Sequence, residues 1–464
     1  MFFMEKIVDF LYNIVFFNVF SLFGFDKNVN LPFCIFVLLI GYVVLMFRLD
    51  FIQFTRITTC FKYSFLQINK NKQVISPLKI LITSIAGCTG MNTTAGIVFM
   101  IAVGGVGTVF WIPIITILCM AFRFAEVFLS HHYRTQKGVK NEMLGGPFDY
   151  IKKGLGEIGF KKLGKILAVA YACLMIITGA VGVSMYEMNQ SVVVLEKGFS
   201  FLEGKRVLLS FLFTAVAIFI IIGGTKRISN FFSVCLPVLA VLYFLASLIV
   251  ICVNYDKLGY AVSIIYQDAM HPRSMAGGWI ASICMCARKC SMSHETGLGT
   301  SGIVHALSEE KDSIKEATRS MMTPIISGIL ISICSALVLI ITDVYKTEYV
   351  KDGVVALTHA FGSVNILFSY IVMIIIPMFT FNVLTAWSNY IYKCSNYVFN
   401  NKKIIYLIMA VLFACAFCGG IIDDFITIVN FVDIFLMLIV LINVPVVIAL
   451  SGIVRKELKG YKFK

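Results

Sequence analysis

Long, uninterrupted runs of apolar residues recur along this chain, and they restrict its fold more than any other feature. Lipid offers no hydrogen-bond partners to the backbone, so only α-helices and closed β-barrels span a bilayer. The runs are too continuous for the alternating strands of a barrel, and a helix crosses in about 20 mostly apolar residues. We therefore predict an all-α polytopic membrane protein with about 11 transmembrane helices. The predicted spans cover residues 31–48, 78–103, 106–129, 166–188, 207–223, 231–252, 277–306, 317–342, 364–392, 404–420 and 425–453.

Composition supports a membrane protein and argues against other classes. The 464 residues are 59% hydrophobic and 14% charged, whereas soluble proteins carry about 25% charged residues. A net charge of +14 would suggest nucleic acid as the partner of a soluble protein, but its placement here points to a lipid bilayer and to no nucleic acid. The fourteen cysteines lie mostly in apolar stretches, which is typical of packing. Because the chain has no P-loop, zinc-binding helix or paired catalytic aspartates, we expect neither an enzyme nor a cofactor.

The loops between the predicted spans carry an asymmetric charge. When the loops are assigned alternately to the two sides, one side holds roughly three times as many Lys and Arg residues as the other. Cytoplasmic loops are the ones enriched in basic residues. The asymmetry predicts a multi-pass protein of the bacterial inner (plasma) membrane with its N-terminus outside and its C-terminus in the cytoplasm.

The spans divide the chain into segments. The apolar residues Phe10, Leu11, Ile14 and Val15 follow Ile7 at helical spacing, and no cleavable signal is evident, so an amphipathic interfacial helix is predicted near the N-terminus. The predicted segments are the amphipathic N-terminal segment 1–30, an extra span 31–48, a first five-helix repeat 78–252, a second five-helix repeat 277–453 and a basic cytoplasmic tail 454–464.

Two spans contain residues that weaken helices. Residues 87–96 and 290–302 are rich in glycine and hydroxyl side chains. Interrupted helices are tolerated in a membrane only where the freed backbone lines a cavity or is buried in protein. Each interrupted span opens one set of five spans, which is the pattern of an inverted-repeat transporter with paired discontinuous helices and a site near the midplane. Close packing of helices through small residues is the alternative.

Ionisable residues within spans are candidates for function. Glu295 lies in the second interrupted span, and its alternative role is a structural ion pair with Arg288-Lys289. Glu187 and Glu126 fall near the ends of their predicted spans, so we expect both at the membrane interface. Arg123 and Glu126 are three residues apart on one helix and are able to form an ion pair.

Several sequence blocks together resemble the alanine or glycine:cation symporter family, also called sodium:alanine symporters. The resemblance runs from about residue 40 to the C-terminus. Its most specific block is 294–306, where Glu295, Gly297, Leu298, Gly299, Ile303, His305 and Ala306 agree with the family pattern. The other blocks are residues 86–105, Phe124-Ala125-Glu126-Val127, Gly145-Gly146-Pro147 and Gly223-Gly224-Thr225-Lys226-Arg227-Ile228.

The resemblance implies a LeuT-type fold, with ten core helices in two inverted five-helix repeats that here follow one extra N-terminal span. It also implies import of a small neutral amino acid, alanine or glycine, together with Na⁺ as the coupling ion. The residues implied to bind substrate are Cys88, Met91, Asn92, Thr93, Gly96, Thr296, Gly297, Val383 and Trp387. Those implied to bind Na⁺ are Ala86, Thr89, Phe379 and Asn382.

This chain departs from the family pattern at the same positions. The family's Thr-Gly-Asn is Met91-Asn92-Thr93 here, and its Ser-Thr on core helix 8 is Asn382-Val383. His294 replaces an asparagine and Thr296 an alanine. These changes leave three alternatives open: a carrier of altered specificity, an ion pathway, and a non-transporting sensor on the same scaffold. A proton-coupled carrier, with the proton on Glu187 or Glu295, is a further variant.

Overall fold

A computed structural model describes residues 10–23, 30–65, 77–137, 142–222, 224–270 and 278–463. Over these residues the regular secondary structure is helical except for one hairpin, in which β1 (Thr135–Lys137) pairs antiparallel with β2 (Glu142–Leu144), and an isolated bridge between Asn18 and Pro32. Gln136 lies opposite Met143 in that hairpin. The predicted all-α class is confirmed.

The helices follow one another with short connections. In the first half they are α1 (Phe33–Arg48), α2 (Ile52–Thr55), α3 (Ile57–Phe65), α4 (Pro77–Cys88), α5 (Ala95–Gly104), α6 (Thr108–His132), α7 (Pro147–Glu157), α8 (Lys161–Gly198), α9 (Arg206–Ile222), α10 (Gly224–Val253) and α11 (Leu258–Met270). In the second half they are α12 (Gly278–His294), α13 (Thr300–His305), α14 (Ser313–Ile341), α15 (Val354–Gly362), α16 (Ile366–Phe399), α17 (Lys402–Ile421) and α18 (Phe425–Gly460). Short 3₁₀ helices cover Val19–Phe23, Met91–Thr93, Ser200–Leu202, Tyr255–Lys257, Val344–Lys346 and Glu348–Asp352.

Six of the helices in the described ranges are long and apolar enough to cross a membrane: α6, α8, α14, α16, α17 and α18. Pro237–Val253 and Tyr255–Met270 form a bent pair, with an angle of 78° between them, that would make a seventh span. Shorter apolar helices are α1, α4, α5 and α9. These helices make the chain a multi-pass membrane protein, whereas the total of about 11 spans stays a prediction.

Both predicted interruptions are present in the structure. The first break, residues 89–94, separates α4 from α5 and contains one 3₁₀ turn. The second break, residues 295–299, separates α12 from α13. Glu295 adopts a left-handed backbone conformation there, with φ of +53°, as do Gly297 and Gly299. Two discontinuous helices are thus the main departure from a simple bundle.

The N-terminal helix α1 packs against the second break. The hydroxyl of Tyr42, at the middle of α1, donates a hydrogen bond of 3.1 Å to the carbonyl oxygen of Thr296. Near the cytoplasmic end predicted for α1, Arg48 donates to the hydroxyl of Ser451 on α18 and, at 3.2 Å, to the carbonyl of Ile448. Helix α1 therefore stabilises the second break, although that break lies in the second half of the chain.

The N-terminal and C-terminal segments are helical where the structure describes them. Residues 10–15 form a helix in which Val15 is buried and Phe10 and Ile14 are exposed, while Ile7 lies outside the described residues. At the other end, α18 continues to Gly460. The predicted boundary at residue 453, between the last span and the basic tail, thus falls inside one continuous helix.

A buried ion cluster joins α12 to α18. The carboxylate of Asp433 forms an ion pair with Arg288, and its distance to the ammonium of Lys289 is 3.4 Å. The guanidinium of Arg288 lies 4.5 Å from the ring centre of Phe16, and the Lys289 ammonium lies 4.8 Å from that of Phe99. The alternative that Glu295 pairs with these two bases is wrong, because Asp433, which the sequence analysis did not single out, takes that place.

Replacing Asp433 with asparagine should destabilise the fold strongly. The change leaves two buried cations without their counter-charge, and removing one partner of a buried ion pair costs about 3–5 kcal/mol. Thermal denaturation of the purified protein in detergent would measure the loss. The control is Asp352→Asn, which breaks the exposed 2.8 Å pair with Lys197 and should cost about 0–1 kcal/mol. Equal melting temperatures for the two variants would contradict this prediction.

Candidate functional site

A small cavity lies between the two breaks. Its volume is about 20 Å³, which is room for about one water molecule. The cavity is therefore smaller than an amino acid. Its walls are formed by Gly87, Cys88, Gly90, Asn92, Val183, Glu187, Met292, Glu295, Leu298, Val383, Trp387 and Leu436.

The predicted substrate residues divide into two groups around this cavity. Four of them form part of its wall: Cys88, Asn92, Val383 and Trp387. The other five lie in the breaks or their flanks without lining the cavity: Met91, Thr93, Gly96, Thr296 and Gly297. The structure therefore brings residues of α4, the first break and α16 to one place, as the resemblance implied.

The first break is held by a carboxylate on α8. The amide N–H of Met91 donates to the carboxylate of Glu187, with N···O distances of 3.2 and 3.4 Å. The hydroxyl of Thr380 donates to the same carboxylate at 3.2 Å. Within the break, the hydroxyl of Thr93 donates to the carbonyl of Gly90 at 2.8 Å. The interruption of the helix leaves the Met91 N–H without a helical partner, and the Glu187 carboxylate accepts its hydrogen bond.

The carbonyl groups of the second break are bound by side chains from three other helices. Tyr171 on α8 donates to the carbonyl of Leu298 at 2.7 Å, and Asn443 on α18 donates to that of Gly297 at 2.9 Å. Tyr42 on α1 bonds the carbonyl of Thr296. Buried backbone groups must find such partners, so the irregular conformation is stabilised by the surrounding bundle.

The carboxylate of Glu295 also faces the cavity. Its Oε2 atom accepts hydrogen bonds from the hydroxyl of Thr300 at 2.8 Å and from that of Tyr390 at 3.4 Å. The buried guanidinium of Arg123 lies nearby and donates to the carbonyl of His294 at 2.7 Å and to Ser84 at 2.6 Å. The hydrogen-bond donors to Glu295 are therefore uncharged. The residue before it, His294, is the one that contacts the Arg123 guanidinium.

Two predictions about acidic residues are wrong. Glu126 and Glu187 were expected at the membrane interface, but they are 0% and 1% exposed. Glu126 accepts from Asn443 at 2.6 Å and from Ser301 at 3.4 Å, and the described residues include no ion pair between it and Arg123. Glu187 was misplaced because its span was predicted to end at residue 188, whereas α8 continues to Gly198. The apolar residues 192–195 were the signal for that longer helix.

The four residues predicted to bind Na⁺ are all buried. Within the described part of the chain, the Thr89 hydroxyl and both polar side-chain atoms of Asn382 have no hydrogen-bond partner. Ala86 lies in the last turn of α4, where carbonyl groups lack their regular partner. Phe379 precedes Asn382 by one turn of α16. Oxygen atoms without partners suit a hard cation such as Na⁺.

Comparison with known proteins identifies relatives over most of the chain. The model of the sodium:alanine symporter family matches residues 19–464. The sodium/alanine symporter AgcS of Methanococcus maripaludis is 28% identical over 437 residues, which are 93% of this chain and 94% of that protein. The probable sodium/glutamine symporter GlnT of Bacillus subtilis is 28% identical, over 85% of this chain and 80% of that protein.

A solved structure supports the fold independently. The crystal structure of MhsT in complex with L-phenylalanine matches with a TM-score of 0.57 and 13% identity, over 80% of this chain and 89% of that chain. At this identity the likeness concerns the fold alone, and it confirms the predicted LeuT-type fold. The match of the family model to nearly the whole chain then leads to one conclusion: this chain belongs to the sodium:alanine symporter family, whose members are transporters and not enzymes.

Proposed function

We propose that this protein is a secondary symporter that imports a small neutral amino acid, of the alanine or glycine type, together with Na⁺. The observation that carries the proposal is that Thr89, in the first break, and Asn382, on α16, are buried and have side-chain oxygens without a hydrogen-bond partner among the described residues. Family membership supports sodium coupling and an amino-acid substrate. The two named relatives, a sodium/alanine and a probable sodium/glutamine symporter, set the range of substrates to be tested.

The proposed site lies between the two breaks and α16. Residues of the first break would offer amide groups to the substrate, and Trp387 and Val383 would cover its side chain. Cys88 and Asn92 already line the cavity, and Met91, Thr93, Thr296 and Gly297 are adjacent in the chain to lining residues. Gly96 follows one turn later, where a Cβ atom would lie 3.7 Å from the side-chain oxygen of Asn92. Because the cavity is small, binding requires the helices to move apart, as alternating access demands.

The proposed topology has eleven spans. The broken pairs α4–α5 and α12–α13 would each count as one crossing, and the short helices α1 and α9 would each be a span. In this topology 78–252 and 277–453 are inverted five-helix repeats, after the N-terminal segment 1–30 and the extra span 31–48. The charge asymmetry of the loops supports an outside N-terminus and a cytoplasmic tail 454–464 in the bacterial inner membrane.

Proton coupling is the second candidate. Glu187 and Glu295 both line the cavity and are buried, and acidic side chains within membrane spans often act as proton carriers. In this variant the driving force is a pH gradient in place of a sodium gradient. An ion pathway and a non-transporting sensor are the remaining alternatives, and measurements of transport distinguish them from both carriers.

Purified protein in liposomes should accumulate labelled amino acid when a sodium gradient is imposed. Alanine, glycine, serine and glutamine would be tested separately, each with a sodium gradient or a pH gradient alone. We expect accumulation of at least one of the first three substrates with sodium, because the unpartnered oxygens suit that ion. Uptake that follows only the pH gradient would favour proton coupling. Conductance without solute would favour an ion pathway, and no accumulation at all would favour the sensor.

Removing the unpartnered oxygens should weaken sodium binding selectively. For Thr89→Val and Asn382→Leu we expect the sodium concentration at half-maximal uptake to rise by about tenfold, which corresponds to about 1.4 kcal/mol. The control is Thr83→Val on α4, the helix that precedes the first break, since the Thr83 hydroxyl is bonded to the carbonyl of Lys79 at 2.8 Å. If both site variants keep the sodium dependence of the native protein, the ion binds elsewhere.

Gly90 should tolerate no side chain. A Cβ atom there would lie 2.9 Å from the Glu187 carboxylate and would overlap the side chain of Val383. We expect Gly90→Ala to lower uptake at least about tenfold. The control Gly452→Ala places its Cβ where no atom lies within 4 Å and should transport normally. Normal uptake by Gly90→Ala would mean that the substrate does not use the first break.

A further inference from the structure

The carboxylate of Glu187 is buried at the cavity wall with only neutral groups bonded to it. Its donors are the amide of Met91 and the hydroxyl of Thr380. The residues that the structure describes provide no ion pair for Glu187, in contrast to Asp433, which contacts two bases. A buried carboxylate is costly without a counter-charge. The site is therefore electrostatically incomplete until a positive group arrives.

The hydrogen bonds around Glu187 favour its ionised form. The hydroxyl of Ser191 donates to the Thr380 oxygen at 2.6 Å, and the Thr380 hydroxyl lies 3.2 Å from both the carboxylate and the backbone carbonyl of Glu187. Met91 donates to the same carboxylate from the other side. A carboxylate accepts on both oxygens, whereas a carboxylic acid must donate from one of them. The fixed donor from Met91 favours the carboxylate over the acid, and a cation is the partner that this arrangement accommodates.

The position of Glu187 distinguishes between two possible cations. Thr89 and Asn382, the proposed sodium ligands with unpartnered oxygens, are not among the cavity-lining residues. Glu187 does line the cavity, together with Val383 and with Gly90, which lies against its carboxylate. A cation that meets Glu187 thus belongs to the molecule inside the cavity.

Glu295 is the other carboxylate on the cavity wall, and its surroundings differ. Its donors are Thr300 and Tyr390. The residue before it, His294, accepts a hydrogen bond from the buried guanidinium of Arg123. The Arg123 guanidinium therefore lies near Glu295, whereas no positively charged group among the described residues is bonded to Glu187. The cavity is polarised, and its more negative end is at the first break.

We infer that Glu187 is the residue that binds the ammonium group of the substrate, and that it makes the cavity selective for small primary amines. This inference rests on the proposed function. Because the Met91 amide is already bonded to Glu187, the carboxylate of the substrate faces away from it. An amine without a carboxylate should then still bind, while a carboxylate without an amine should not.

Two alanine fragments test the inference on the unaltered protein. Ethylamine carries the ammonium group without the carboxylate, and propionate carries the carboxylate without the ammonium. We expect ethylamine, but not propionate, to compete with labelled alanine and to raise the melting temperature of the detergent-solubilised protein. If propionate is effective and ethylamine is not, or if neither has an effect, the inference is wrong. The melting temperature needs no transport, so a protein that fails to accumulate amino acids still gives an answer.

Substitution of Glu187 gives the second test. A neutral acceptor binds ammonium more weakly than a charged one, so Glu187→Gln should weaken alanine binding at least about tenfold and abolish the effect of ethylamine. Glu187→Asp keeps the negative charge and should retain part of the alanine binding and part of the effect of ethylamine. The control is Glu196→Gln on the same helix, where Glu196 pairs with Arg206 at 2.9 Å. Unchanged alanine affinity in Glu187→Gln, including the case in which only the pH dependence of uptake is lost, would overturn the inference.

Discussion

Interrupting a helix within a membrane releases backbone groups that lipid cannot bind, and the rest of this structure depends on how those groups are satisfied. In the second break, three consecutive carbonyl groups receive hydrogen bonds from Tyr42, Asn443 and Tyr171. These donors come from α1, α18 and α8, which lie far apart in the sequence. The break thus has its shape only when helices from both halves of the chain surround it, so a movement of any one of them alters the site.

Buried charged side chains, like the freed backbone groups, need partners within the protein. Arg288 and Lys289 share one counter-charge, Asp433, and this cluster fixes α12 to α18. Arg123 and Glu187 instead contact neutral partners among the described residues. The ion pairs of this cluster stabilise one arrangement of helices, whereas a buried carboxylate with no base bonded to it is costly until a positive group meets it. Asp433 has bases bonded to it and Glu187 has none among the described residues, and this difference is why we propose a ligand for Glu187 alone of the two.

The sequence predicted the breaks well because glycine and hydroxyl residues stand out against uniform apolar spans. Residues 87–96 and 290–302 contain both interruptions as the structure has them. Glu187 was misplaced because the end of a span is poorly defined when an apolar stretch follows a polar one. The partner of Arg288 could not be predicted, since Asp433 lies 145 positions away and only the packing of α12 against α18 brings the two together. The prediction that Thr89 and Asn382 bind Na⁺ rests on family resemblance, not on spacing, and stays a prediction.

The chemistry of the first break also suggests how the two proposed ligands would influence each other. Thr89 carries an oxygen without a partner, and Met91, two residues later, gives its amide to Glu187. Gly90 between them lies against the Glu187 carboxylate. A cation at Thr89 and an ammonium group at Glu187 would thus act on opposite ends of one three-residue segment. Binding energy is shared between sites when both ligands favour the same conformation of the element that joins them. In the proposed symporter, this short segment is that element, and its lack of regular helical bonds is what allows either ligand to set its shape.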